Sequence, residues 1–321
     1  MWICPTPEKL PDFIIGGAMK AGTKTLHKIL NSHPDVFIPN GEIHFFNHDE
    51  ICEHFDFNHY NKKSENWSRP EIIRDGDINW AWYLDRLDSQ SKVIGEDSTC
   101  YLSSPLAAKR ISSQDKRIKM IFTLRQRSLR AYSHYEHNLR AGRINTTFEE
   151  TLIKNPYGLL SRSLYVDQLE QYYKYFDRDD ILVVTLESLK SNPYRAIQRI
   201  CKFLAIDFDR IPDGILSTKA NVSSNKAFDF SYRLTNRFLK PEIDYTEHFL
   251  SGRTNQTKQW FSERLKYWLN SKGNLGSKES GIRAGTKRFL DQFFIKRLEG
   301  LDDLTKQKIM ATWFDDFVKK Y

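Results

Sequence analysis

Phe13-Ile14-Ile15-Gly16-Gly17-Ala18-Met19-Lys20-Ala21-Gly22-Thr23-Lys24-Thr25-Leu26 is the stretch on which the reading of this chain turns. A short apolar run ends in two glycines, passes a lysine and a third glycine, and opens into a helical pattern. That order predicts a buried strand, a tight turn and a helix. A helix entered from such a turn aims backbone N–H groups and the positive end of its dipole at one point, which makes a cradle for phosphate. The plainer reading is an ordinary strand-to-helix turn whose glycines serve chain reversal alone.

Outward from this stretch the same grammar repeats. Val93-Ile94 runs into Gly95-Glu96, Lys119 to Leu124 runs into Arg125, and Ile181 to Leu186 runs into Glu187. Runs this short and rich in branched residues read as buried parallel strands. Helical patterns occupy 23–31, 104–113, 128–141, 161–176 and 193–204, the last opened by Asn192-Pro193. Strand–helix alternation predicts an α/β fold with an open, mostly parallel sheet, whose ligands gather at the C-terminal strand ends. Past about 236 the strand patterns stop. Residues 258–270 and 285–321 look helical around the Gly- and Lys-rich segment 270–276. The expected organisation is an α/β domain over 1–235 with a helical extension, 236–321, packed on it. Residues 53–80 are polar, aromatic and irregular, as in a surface excursion.

With 40% hydrophobic and 28% charged residues over 321 positions, the chain is neither disordered, collagenous nor a coiled coil. It contains no stretch of 18 apolar residues, so no transmembrane segment is expected. Prolines at 5, 7 and 11 and the lack of a basic-then-apolar order argue against a signal peptide. Four cysteines without a CxxC pair suggest neither a zinc site nor a disulfide framework. The expectation is a soluble, cytoplasmic enzyme. The net charge of +8 is uneven: residues 231–321 hold 18 Lys and Arg against 11 Asp and Glu, and the first 230 hold 31 against 30. A basic last third either faces an anionic partner or is simply a solvated helical face.

The nucleoside-triphosphate signature GxxxxGK[ST] sets Lys directly after Gly. Here Lys20 comes two residues before Gly22. The other strand ends read from the sequence as Arg125 and Glu187, without the Asp that would hold Mg²⁺. A basic residue at a strand end suits added negative charge held without a metal.

These residues resemble a family. Lys20 to Leu26 resembles the 5′-phosphosulfate loop of sulfotransferases that use PAPS (3′-phosphoadenylyl sulfate, which leaves as PAP). Leu124-Arg125-Gln126-Arg127-Ser128-Leu129-Arg130-Ala131-Tyr132-Ser133-His134-Tyr135 resembles their 3′-phosphate motif, with Arg at the strand end and Ser eight residues later. His33-Pro34-Asp35-Val36 followed by Glu42-Ile43-His44-Phe45-Phe46 is similar to the "HPD…KExHFF" region of the carbohydrate-modifying branch. Gly95-Glu96-Asp97-Ser98-Thr99-Cys100-Tyr101 is similar to "GExSPxY", and Ser161 to Tyr165 to a later helix. Asn221-Val222-Ser223 stands where bacterial members carry a similar segment, so the likeness runs over about 12–225. Three positions depart: Lys24 replaces Thr or Ser, Gln126-Arg127 replaces Asn-Pro or Asp-Pro, and Asn47 stands where some relatives have Asp.

The resemblance implies a P-loop-NTPase-like sheet and transfer of a sulfuryl group from PAPS to an acceptor hydroxyl, with no metal. It implies Lys20 on the leaving oxygen, and Ala21, Gly22, Thr23, Lys24, Thr25 and Leu26 around the 5′-phosphate. Arg125 and Ser133 would take the 3′-phosphate, Arg125 through its planar fork. The acceptor proton needs a base, for which Glu42 is the first candidate and His44 the second. An extended backbone would set those two on one side with Ile43 on the other. The plain alternative is a surface Glu–His pair beside two core phenylalanines. The expected acceptor is a saccharide or a lipid-like molecule, and nucleic acid is not expected. Two rival readings stay open on sequence: a nucleotide kinase or NTPase, and a nucleic-acid binder using the basic last third. Lesser candidates are Arg130 and His134 as exposed flanks of the Ser133 helix, Arg162, Ser163 and Tyr165 near the nucleotide, Lys219 and Lys226 closing over it, and Trp67, Trp80, Trp82 and Tyr83 as sugar-stacking or packing aromatics.

Overall fold

Strand β1 (Phe13–Gly17) is buried at every residue, as a strand covered on both faces must be. In the computed structural model, which describes residues 2–50, 59–61, 66–68, 73–74, 77–140, 144–154, 156–217, 233 and 281–314, β1 is the central strand of the main sheet. The chain passes from β1 through helix α1 (Thr23–Leu30) to the short β2 (Val36–Phe37). Two small antiparallel pairs follow, β3 (His59–Asn61) with β4 (Asn66–Ser68) and β5 (Ile73–Arg74) with β6 (Asp77–Ile78). Next come α2 (Trp80–Arg86), β7 (Val93–Asp97), α3 (Ala107–Ser112), β8 (Lys119–Leu124) and α4 (Arg127–Arg140). The α/β part ends with α5 (Phe148–Lys154), α6 (Pro156–Leu160), α7 (Tyr165–Tyr173), β9 (Ile181–Thr185), α8 (Leu186–Ser191) and α9 (Pro193–Leu204). The main sheet has the order β2-β7-β1-β8-β9, and every pairing in it is parallel.

Alternation along the strands divides the core in two. Ile14, Met120, Phe122, Ile181 and Val183 pack with Tyr165, Leu169 and Tyr172 on one face. Phe13, Ile15, Ile121, Leu182 and Val184 pack with Leu26, Ile29, Ile197 and Ile200 on the other. Adjacent residues of one strand thus serve opposite faces, which is the period of two that a pleated strand imposes.

Helix starts follow their local chemistry. Asn192 caps α9 by accepting from the Arg195 N–H at 3.1 Å, with Pro193 in the first position. Thr185 caps α8 in the same way through the Ser188 N–H. The strand expected over 181–186 therefore stops at Thr185, and Glu187 sits on the first turn of α8. Gln126 opens α4: its Oε1 accepts from the Leu129 N–H at 2.9 Å, so the pair that replaces Asn-Pro still supplies a cap.

Two helical stretches are more divided than their patterns suggest. The helix expected over 161–176 is a 3-10 turn, Ser161–Ser163, followed by α7. The stretch expected to be helical over 285–321 holds, among its described residues, three helices: α10 (Ala284–Ile295), α11 (Leu301–Thr305) and α12 (Ile309–Trp313). A left-handed Gly300 (φ 85°) begins α11 and a left-handed Lys306 ends it, each breaking the run of helical dihedrals. Leu298, Leu301, Ile309, Trp313 and Phe314 enter the same core cluster as Ile14 and Phe122. The described part of the last third thus shares the core of the sheet. The expected helix 258–270, and Asn221, Lys219 and Lys226, lie outside the described residues. Trp80 and Tyr83 are buried core residues of α2, so the aromatic excursion begins to pack there. Cys4, Cys100 and Cys201 are buried.

Candidate active site

The turn after β1 is tight enough to need glycine twice. Gly17 has φ 144°, and a Cβ on it would meet the Thr99 carbonyl oxygen at 2.8 Å. Gly22 has φ 96° and begins α1, where a Cβ would meet Leu186 at 2.7 Å. Between them Lys20 itself adopts a left-handed conformation, φ 67°. The N–H groups of Thr23 and Lys24 have no carbonyl one turn back to accept them and point out of the helix end, while the Thr25 and Leu26 N–H groups both donate to the Gly22 carbonyl. Among the described residues, the hydroxyls of Thr23 and Thr25 and the ammonium groups of Lys20 and Lys24 make no hydrogen bond to protein. Lys24 is exposed, while Lys20 is half-buried. Burial, together with the positive Arg140, Lys24 and Arg125, lowers the Lys20 ammonium to about 8, and the negative Glu42 opposes that fall.

Arg125 follows β8 and leans toward this loop: its Nη1 donates to the Lys20 carbonyl at 3.2 Å. Its backbone is held by Tyr165, whose hydroxyl donates to the Arg125 carbonyl at 2.9 Å. Tyr165 is thus a buried anchor for Arg125. Ser133 stands on the second turn of α4, half-buried, and its hydroxyl has no partner among the described residues. Glu136 and Arg140, three and seven residues further along the same helix face, act electrostatically on Arg125 and Lys20 respectively. The face of α4 that carries Ser133 therefore looks onto the loop.

Arg130 and His134 are not exposed flanks. Both are buried: Arg130 Nε donates to Ser163 Oγ at 2.5 Å and its Nη2 to the Leu159 carbonyl. Burial and the charges of Arg130, Arg162, His137 and Lys20 push His134 down to about 2, so it is neutral. Arg162 is buried as well, with Nη1 directed at Cys100 Sγ (2.9 Å) and Met19 Sδ (3.6 Å). The 3-10 turn at 161–163 delivers these contacts.

Glu42 and His44 meet, though by a different backbone from the one expected. His44 has a left-handed φ of 54°, so the segment is not extended. The turn brings His44 Nε2 to 3.1 Å from Glu42 Oε2. The same oxygen accepts from the Thr99 hydroxyl at 2.5 Å and the Thr99 N–H at 3.2 Å. Burial pulls the Glu42 carboxyl upward, but the bonds and charge of His44 and the two bonds from Thr99 outweigh it and hold the group down at about 2. Glu42 Oε1 makes no hydrogen bond among the described residues. Phe45 and Phe46 are core anchors, as the plain reading had them.

The sequence reading overlooked the supports of this pair. Thr99 was quoted only as part of Gly95 to Tyr101, and nothing in the sequence marks it as a partner for a glutamate 57 residues earlier. Asp97 also corrects the view that the strand ends lack aspartate. It is the last residue of β7, beside β1, buried, with Oδ2 3.3 Å from His27 Nδ1 of α1. Among the described residues, no three His, Cys, Asp or Glu side chains gather where a metal ion would sit.

The chain matches the sulfotransferase domain family over residues 10–272. It is 28% identical over 210 residues to human heparan sulfate glucosamine 3-O-sulfotransferase 5, covering 61% of this chain and 54% of that protein. It is 30% identical over 211 residues to human heparan sulfate glucosamine 3-O-sulfotransferase 3B1, covering 62% and 47%. The chain thus spans about half the length of the curated relatives it matches. A sulfotransferase from Alicyclobacillus acidocaldarius superposes with a TM-score of 0.52 at 27% identity, over 78% of this chain and 99% of that one. A match that begins before β1 and runs beyond α9 takes in the glycine turn after β1, Arg125 with the helix that follows it, and the Glu42 segment together: this chain belongs to the sulfotransferase domain family.

Proposed function

We propose that this protein transfers a sulfuryl group from PAPS to the hydroxyl of a saccharide acceptor. The carrying observation is that Lys20 and Glu42, one cation and one anion, act on each other at the head of β1, beside groups with spare hydrogen-bonding capacity. Thr23, Thr25 and Ser133 hold hydroxyls without protein partners among the described residues, and Arg125 leans over the same loop. That donor set suits a ligand phosphorylated at two places, so the residues fit PAPS.

PAPS supplies an activated sulfuryl group on its 5′-phosphate. The chain's own residues do the rest, mostly by position and charge. Within residues 21–26 the N–H groups of Gly22, Thr23 and Lys24 and the Thr23 and Thr25 hydroxyls hold the 5′-phosphate, with Lys24 adding charge at the rim, while the N–H groups of Ala21, Thr25 and Leu26 stay on backbone carbonyls. Arg125 and Ser133 hold the 3′-phosphate. Glu42 takes the acceptor proton through its unengaged Oε1 as the acceptor oxygen bonds to sulfur. Lys20 stabilises the bridging oxygen that keeps the electron pair of the broken S–O bond. His44 and Thr99 keep the Glu42 carboxylate directed, and the Glu42 charge helps keep Lys20 protonated. The saccharide class is supported by the two heparan sulfate relatives.

The test is thermal stabilisation by PAP against ATP, ADP and AMP, followed by labelled PAPS with saccharide and lipid-like acceptors. Selective stabilisation by PAP and label on a saccharide are expected. Equal stabilisation by ATP with Mg²⁺-dependent turnover would move the reading to a nucleotide kinase, and label on lipid alone would overturn the saccharide class.

A further inference from the structure

The left-handed turn that joins Glu42 to His44 is held by a buried set of hydroxyls. Ser98 Oγ accepts from the His44 N–H at 2.9 Å and from the Ile43 N–H at 3.2 Å. Both lone-pair directions are then taken, and its single proton goes to Glu96 Oε1 at 2.6 Å. Tyr101 repeats the pattern: its hydroxyl accepts from the Phe46 N–H at 3.1 Å and donates to the same Glu96 oxygen at 2.6 Å. Glu96 Oε2 accepts from the Tyr83 hydroxyl at 2.5 Å. Glu96, Ser98, Tyr101 and Tyr83 are all fully buried.

The logic runs in one direction. An oxygen that accepts two hydroxyl protons orients both hydroxyls, and oriented hydroxyls can receive the three amides of residues 43, 44 and 46. A non-glycine residue in the left-handed region costs of order 1 kcal/mol and persists only where its surroundings over-determine it. Here three amide bonds do so. The consequence lies one residue away, where the turn sets Glu42 Oε2 against both His44 and Thr99.

We propose that Ser98 and Tyr101, oriented by Glu96, are positioning residues that aim the Glu42 carboxylate at the acceptor by clamping the backbone of residues 43–46. This rests on Glu42 being the base, as proposed above. None of the three touches the acceptor or the nucleotide.

A matched pair of variants separates positioning from mere structural support. Tyr83→Phe and Tyr101→Phe each delete one hydroxyl donor to Glu96 from a fully buried ring. Only Tyr101 also holds an amide of the 43–46 segment. Ser98→Ala removes the other two amide contacts without changing charge. The assay uses the full chain, with labelled PAPS and the saccharide that takes up label in the test of the proposed function. Tyr101→Phe and Ser98→Ala are expected to lower kcat by about 10²-fold, the usual cost of displacing a reacting group by about 1 Å. Stabilisation by PAP and the KM for PAPS stay at wild-type values, and Tyr83→Phe keeps wild-type kcat.

The pH profile gives a second readout. The titratable groups facing Glu42 are His44 on its own segment, Lys20 on the phosphate loop and Asp97 at the end of β7. Loosening the turn draws His44 away from Glu42, so an acid limb moves upward in Ser98→Ala toward the ordinary glutamate range. Equal kcat losses in the two Tyr→Phe variants, or a Ser98→Ala profile identical to wild type, would overturn the clamp. If wild-type protein neither binds PAP nor transfers label, the functional reading fails first, and that result is distinct from either of these.

Discussion

Raising the pH from 7 to 9 is expected to weaken PAP binding about tenfold, and Lys20→Met is expected to remove that dependence. Lys20 sits among Arg140, Lys24 and Arg125 in a partly buried place, which lowers its ammonium to about 8. The protonated form is the one that attracts phosphate. The sign follows: affinity is flat below pH 8 and falls as pH rises through 8, because a proton must be taken up for binding. With a pKa near 8, about nine-tenths of Lys20 carries its charge at pH 7, half at pH 8 and about one-tenth at pH 9. The phosphates of PAP add no slope there, since their second ionisation lies near pH 6. Guanidinium groups stay charged throughout. Calorimetry in two buffers of different ionisation enthalpy counts the proton directly: at pH 8.5 wild type should take up about three-quarters of a proton per PAP bound. Lys20→Met should take up none, and its affinity should lie below that of wild type at pH 9, where about one-tenth of Lys20 is still charged. Wild-type affinity that stays level to pH 9, or equal proton uptake in the variant, would refute the reasoning.

Other perturbations probe separate parts of the site. Arg125→Ala should weaken PAP by about 10- to 100-fold, the value of a charge-assisted fork on phosphate, while sparing a nucleotide without a 3′-phosphate; titration of both nucleotides checks it, and equal losses would contradict the 3′-phosphate role. Glu42→Gln should reduce kcat by about 10²–10⁴ with PAP affinity unchanged, and retained turnover would pass the base role to His44 or water. Asp291 of α10, buried, accepts from Gln126 Nε2 (2.6 Å), Ser128 Oγ (2.7 Å) and Lys287 Nζ (2.5 Å). Asp291→Ala strands the buried Gln126 Nε2 donor and leaves Ser128 Oγ with Gln126 Oε1 alone as acceptor, and should cost about 1–3 kcal/mol in denaturant unfolding; a change below about 0.5 kcal/mol would show that the α4–α10 contact contributes little.

The candidate site residues reach one another over long sequence distances. Arg125 meets the Lys20 carbonyl across 105 residues, and Thr99 meets Glu42 across 57. By contrast, Lys20 and Thr23, or Glu42 and His44, are close along the chain, and for the second pair the contact still needs the left-handed turn at His44. The first kind of contact depends on strand order. β1 lies between β7 and β8, so the loops after all three strands open at one end of the sheet.

The sequence by itself determined the alternation of strands and helices, the glycine turn after β1, the Asn192-Pro193 helix start and the family likeness, because periodicity, capping and glycine conformations act within a few residues. Tertiary structure alone decided the rest. It placed Arg130, His134 and Arg162 inside, since a polar side chain is buried only where distant groups such as Ser163 and Leu159 can satisfy it. It broke the last third into α10, α11 and α12, whose apolar residues had to meet the sheet core. And it set Glu42 against Thr99 through a left-handed His44, a conformation that local propensity disfavours and that three amide bonds to Ser98 and Tyr101 sustain.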